Sequence, residues 1–111
     1  MSGITTHVLD TSLGRPAAGV PVTLEMESAG DWKTIGNGKT NADGRLPDLM
    51  SKPAEAGVYR ITFDTATYFA SQKLQSFYPL VSVVFRIQDA AQHYHVPLLL
   101  SPFGYSTYRG S

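Results

Sequence analysis

The chain has 111 residues, no cysteine, nine basic and nine acidic side chains, and a charged fraction of only 16%. One domain spanning 1–111 is expected at this length, with a core that needs no disulfide staples. The charge balance lacks the footprint of a nucleic-acid binder, and the low charge suggests a surface partly covered by a partner subunit. No apolar run approaches the length of a membrane span, and Met1 to His7 carries no secretory pattern. The default expectation is a soluble cytoplasmic protein.

Strand alternation dominates the chain. A first strand is expected over Ile4–Asp10, with His7 on the parity of Thr5 and Leu9. Val20, Val22, Leu24 and Met26 then alternate against polar residues, as in a half-buried strand. Gly30-Asp31 marks a turn. Trp32 to Thr40 reads as a strand interrupted at Gly36-Asn37-Gly38, and Asn41-Ala42-Asp43-Gly44 as a second turn.

Alternation returns from Gly57 to Asp64. Asp64 to Gln75 breaks the pattern and reads as the one helix, with Asp64 or Thr65 as N-cap. Val81, Val83, Phe85 and Ile87 form another apolar face. Tyr94 to Leu100 is apolar enough to be covered on both sides. Ser101-Pro102-Phe103-Gly104 turns the chain into a last strand over Tyr105–Arg109. Seven or eight short strands with one helix predict a mainly β sandwich.

Three histidines are candidates for chemistry: His7, His93 and His95. His93 and His95 share a strand face with Pro97 and Leu99, and Ser106 shares one with Tyr108. A strand histidine is more often a surface or hydrogen-bonded core residue than a catalyst. Its titration range nevertheless suits proton transfer near neutral pH. A His-x-His pair plus a third histidine also resembles a three-histidine zinc set, although residues 92–100 offer no carboxylate to orient such ligands. Arg45 after the Asp43-Gly44 turn is either a solvated strand-start arginine or a guanidinium fixed for an anionic, planar ligand. Gly36-Asn37-Gly38-Lys39 lacks phosphate-loop spacing, and no serine lies in a nucleophile elbow.

Four segments carry a resemblance. They are Thr6-His7-Val8-Leu9-Asp10-Thr11 with Gly14-Arg15-Pro16-Ala17; Thr40-Asn41-Ala42-Asp43-Gly44-Arg45; His93 to Pro102; and Tyr105 to Ser111, ending in Tyr-Arg-Gly-Ser. Together they resemble the 5-hydroxyisourate hydrolases, the transthyretin-like protein family, from about residue 4 to the chain end. Transthyretin shares the Leu-Leu-Ser-Pro and Tyr-Ser-Thr stretches but lacks the His/Arg set and the final tetrad.

The resemblance implies a transthyretin-like sandwich of two four-stranded sheets and a short helix. It implies a homotetramer, a dimer of dimers with sites in a central channel. By motif, His7, Arg45, His95 and Ser111 would be catalytic. Tyr108, Ser106 and Pro97 would line the substrate channel, with His93 supporting or incidental. The implied reaction is cofactor-free hydrolysis of 5-hydroxyisourate, with the two histidines sharing acid–base work and Arg45 holding the substrate. Two alternatives stand beside it. One is a non-catalytic transthyretin-like carrier or binding module, for which Ala17 to Val22 and the Asp-Gly-Arg turn would suffice. The other is a three-histidine metal hydrolase.

Overall fold

The computed structural model describes residues 3–47, 49–50 and 52–110. Among these residues nine strands and one helix follow in the order β1 (Gly3–Asp10), β2 (Arg15–Pro16), β3 (Pro21–Ser28), β4 (Asp31–Lys39), β5 (Arg45–Leu46), β6 (Gly57–Phe63), α1 (Thr65–Ser71), β7 (Val81–Ile87), β8 (His93–Ser101) and β9 (Gly104–Thr107). One sheet runs β4-β3-β6-β7 and is antiparallel throughout. The other runs β2-β1-β8-β9, with β5 also pairing β1, so it has five strands where the family resemblance implies four. The fifth is a two-residue stretch at the site itself, too short to leave a periodic signal. Among the described residues, no helix is long and apolar enough to cross a membrane.

The alternation places the core. Ile4, Val8, Val96, Leu98 and Leu100 point inward from one sheet, and Val22, Leu24, Tyr59, Ile61 and Phe63 from the other, all buried. Burying such side chains contributes roughly 1.5–3 kcal/mol each. Because the side-chain period is two, the same register sends Thr5, His7, His95 and Leu99 to the opposite face, where they are half-buried. The parity expected of β1 and β8 therefore holds. Val83 and Phe85 are only half-buried, because β7 is the edge of its sheet.

Local boundaries differ from the sequence expectation for physical reasons. The β3–β4 hairpin turns at Ala29-Gly30, both at positive φ, one residue earlier than Gly30-Asp31. β4 is continuous, and its register slips across Ile35 rather than within Gly36-Asn37-Gly38. The helix stops at Ser71, well short of Gln75. Its end is a Schellman motif: Leu74 N–H donates to Phe69 O and Lys73 N–H to Ala70 O, with Lys73 at φ 60. Its start is as expected, with the Asp64 carboxylate accepting from Thr67 N and Oγ1.

The last strand also ends early, at Thr107 rather than Arg109. The cause is Pro97, which has no N–H to give the residue opposite. Thr107 Oγ1 donates to the Pro97 carbonyl at 2.7 Å, and pairing resumes in the same register at His95 and Gly110.

Candidate active site

Three strands set the outward rows of the five-stranded sheet. β1 and β8 run parallel, with Gly3 beside His93, Thr5 beside His95 and His7 beside Pro97. On the other side of β1, His7 pairs with Arg45 of β5. Adjacent strands lie about 4.8 Å apart, so Arg45, His7 and Pro97 form one row and Thr5 and His95 the next. The parallel β1–β8 pairing thus joins residues some ninety positions apart in the chain.

Arg45 is placed by the turn before it. Asn41 Oδ1 accepts from Asp43 N at 2.9 Å and from Arg45 N at 3.1 Å. The Gly44 carbonyl accepts from Val8 N at 2.7 Å, which ties the turn to β1. Gly44 sits at φ +73, and a Cβ there would collide with the Val8 carbonyl. Only glycine meets both demands. Thr40 anchors the other side of the turn, donating from Oγ1 to Ala17 O at 2.7 Å and accepting from Val20 N at 2.9 Å. The Arg45 guanidinium has no ion-pair partner among the described residues and remains available to a ligand.

His95 is held on two sides. Its Nδ1 lies 2.8 Å from Thr5 Oγ1. The carbonyl of His95 accepts from Gly110 N at 2.8 Å, and a Cβ on Gly110 would lie 2.6 Å from the His95 ring. The tail is pinned beside it: the Arg109 guanidinium stacks 4.4 Å over the Tyr94 ring and donates to Gln92 Oε1 at 2.8 Å. Burial holds the His95 pKa below its usual value, and the nearby Arg45, His7 and His93 charges push the same way, against a hydrogen bond to the Thr5 backbone. This direction favours the neutral imidazole, the form that can accept a proton.

A cavity of about 260 Å³ opens beside His95, between Val83 and Phe85 of β7 and Tyr108 of the tail. The sequence-derived candidates thus divide by position. His7, Arg45, His95 and Pro97 occupy neighbouring positions on the outer sheet face, and Ser106 pairs with Leu99 one row further along β8. Tyr108 lines the adjoining cavity together with His95. Ser111 lies outside the described residues. Among those residues, no three His, Cys, Asp or Glu side chains are grouped as metal ligands. His93 lies one row beyond His95 and shares the Thr5 hydroxyl with it, its Nε2 being 2.9 Å from Oγ1. Sequence periodicity places Thr5 on the right face but gives no sign of this bridge, which needs the parallel register of β8 to be known.

A family model for the HIUase/Transthyretin family matches residues 4–110. The chain belongs to the HIUase/transthyretin family. It is 48% identical over 109 residues to the 5-hydroxyisourate hydrolase of Salmonella dublin, covering 97% of this chain and 80% of that one. Among solved structures, Klebsiella pneumoniae 5-hydroxyisourate hydrolase superposes with a TM-score of 0.88 at 40% identity, covering 100% of this chain and 94% of that one. Transthyretin from Sparus aurata superposes with a TM-score of 0.93 at 34% identity, covering 99% and 97%. Backbone shape is thus shared with both a hydrolase and a transthyretin.

Proposed function

We propose that this chain hydrolyses 5-hydroxyisourate to 2-oxo-4-hydroxy-4-carboxy-5-ureidoimidazoline by opening a lactam C–N bond. The observation that carries this reading is His7 and His95 on one sheet face with Arg45, which has no ion-pair partner among the described residues, in a chain 48% identical to a protein named 5-hydroxyisourate hydrolase. Hydrolysis of a cyclic amide requires an activated water, a stabilised oxyanion and a proton for the departing nitrogen. In this reading His7 and His95 exchange protons with water and the leaving nitrogen. Arg45 binds the substrate's carbonyl-rich edge and holds the developing negative charge. Ser111 positions substrate or water, while Pro97, Ser106 and Tyr108 shape the channel. No metal or organic cofactor enters these steps.

The same reading includes a homotetramer, built as a dimer of dimers, in the cytoplasm. Two observations support self-association. β7 and β9 are open edges of their sheets, and the surface displays Phe77, Leu80, Phe103 and Tyr108 at 55–72% exposure.

The test is to generate 5-hydroxyisourate from urate with urate oxidase and follow its ultraviolet decay, with chelator present throughout. Added protein is expected to accelerate the decay, and His7→Asn or His95→Asn to abolish most of the acceleration. Arg45→Ala is expected to lower kcat/KM. Decay at the spontaneous rate from folded protein would instead favour a ligand carrier. Both histidine variants retaining turnover would remove the imidazoles from the mechanism.

A further inference from the structure

One hydroxyl lies between two imidazoles on the outer face. Thr5 Oγ1 is 2.8 Å from Nδ1 of His95 and 2.9 Å from Nε2 of His93. A hydroxyl has one proton to donate and two lone pairs with which to accept. It cannot donate to both nitrogens, so at least one of them carries a proton. The two rings also differ in surroundings. His95 is half-buried against the tail, whereas His93 is exposed at the start of β8.

We propose that Thr5 is a positioning residue that joins His95 to His93 as a proton relay, leaving His95 Nε2 as the general base. The proposal rests on the hydrolase reading above. At rest, His95 Nδ1–H donates to Thr5 Oγ1, and the Thr5 hydroxyl donates to His93 Nε2. The second nitrogen of His95 then presents a lone pair. As Nε2 takes a proton from the attacking water, the Nδ1 proton passes to Oγ1 and the hydroxyl proton passes to His93. His95 stays neutral, Thr5 stays a hydroxyl, and the positive charge appears on His93. When Nε2 gives up this proton as the departing ring nitrogen is protonated, the two transfers reverse and the resting state returns.

The charges around His95 make this route favourable. Its titratable and charged neighbours are His7 from β1, Arg45 from β5 and His93 from its own strand. Arg86, Tyr108 and Arg109 line the adjoining cavity with it. Among the described residues these neighbours are all basic or neutral, and they disfavour a full positive charge on half-buried His95. On exposed His93 the same charge is hydrated. The relay separates the atom that receives the proton from the place where the charge is stabilised.

Imidazole ¹⁵N NMR and kinetics of the full chain test this together. The wild type is expected to show neutral His95 protonated on Nδ1, with His93 and His95 titrating as a coupled pair. Thr5→Val should uncouple the two titrations and lower kcat about 10- to 100-fold with little change in KM. Thr5→Ser should restore both properties. His93→Gln should remove one inflection from the kcat–pH profile while substrate still binds. A wild-type His95 protonated on Nε2 would overturn the proposal. So would unaltered titrations and kcat in Thr5→Val, or a folded Thr5→Ser as impaired as the valine variant. Absence of turnover in the wild type would defeat the hydrolase reading, while the spectra would still decide the link between the imidazoles.

Discussion

Gly110 contributes to the site by having no side chain. Its backbone bonds to His95, and the space where a Cβ would project is occupied by the imidazole at 2.6 Å. Gly110→Ala must therefore move either the ring or the tail. A displacement near 1 Å suffices to cost about 100-fold in a positioned reaction. We expect kcat to fall by about 10-fold or more while the thermal midpoint changes little, since Gly110 lies outside the core. Parallel melting curves and initial rates check this. His7, Arg45 and His95 were legible in the sequence because short motifs surround each of them. Thr5 was not. Its importance depends on which residue of β8 stands beside it, and a parallel pairing across ninety residues leaves no local trace.

Strands were legible wherever alternation ran for seven or more residues, and the four-residue β9 after its turn as well, but the two-residue pieces were not. β2 and β5 have two residues each, and α1, which stops at Ser71, is closed off by Lys73 in a left-handed conformation that sequence ordinarily signals with glycine. The end of β1 joins the helix through a buried acid. Asp10 is 1% exposed; its Oδ2 accepts from Tyr68 OH at 2.6 Å, and Oδ1 accepts from Ser12 N, Ser12 Oγ and Leu13 N. Burial alone would raise the pKa of this carboxyl, but the hydrogen bonds outweigh it and hold the group below its usual 3.8. Tyr68 is correspondingly pushed up to about 12 by burial and by the Asp10 carboxylate. A depressed carboxylate stabilises the fold above its unfolded pKa, and that contribution is lost as pH falls through the folded value. Asp10→Asn should lower stability at pH 7 by about 1–3 kcal/mol and flatten its decline below pH 4. Denaturant titrations from pH 2 to 7 measure both effects. An unchanged acid slope would show that other carboxyls govern it.

Across the whole molecule, apolar side chains collect where the sheets end. Phe77, Tyr78 and Tyr105 stack edge to face around the β8–β9 turn, and Phe77 remains 69% exposed. Together with two open sheet edges, such a surface favours association. Sedimentation equilibrium at micromolar concentration is expected to give four times the chain mass. A stable monomer with full turnover would separate the site from the assembly. The low charge of the sequence pointed to a covered surface, but composition cannot say which side chains form it.

The parallel β1–β8 pairing has a consequence for how the protein is made. β3 pairs with both β4 and β6, all within residues 21–63, so most of one sheet can pair as it leaves the ribosome. The histidine-bearing strand β1 cannot pair with β8 until some ninety further residues have been synthesised. Closing so long a loop is slow, and until then the apolar face of β1 has no β8 to cover it. Catalytic competence and protection from misassembly therefore arrive in the same late step. A nascent chain halted before β8 is the form most in need of a chaperone.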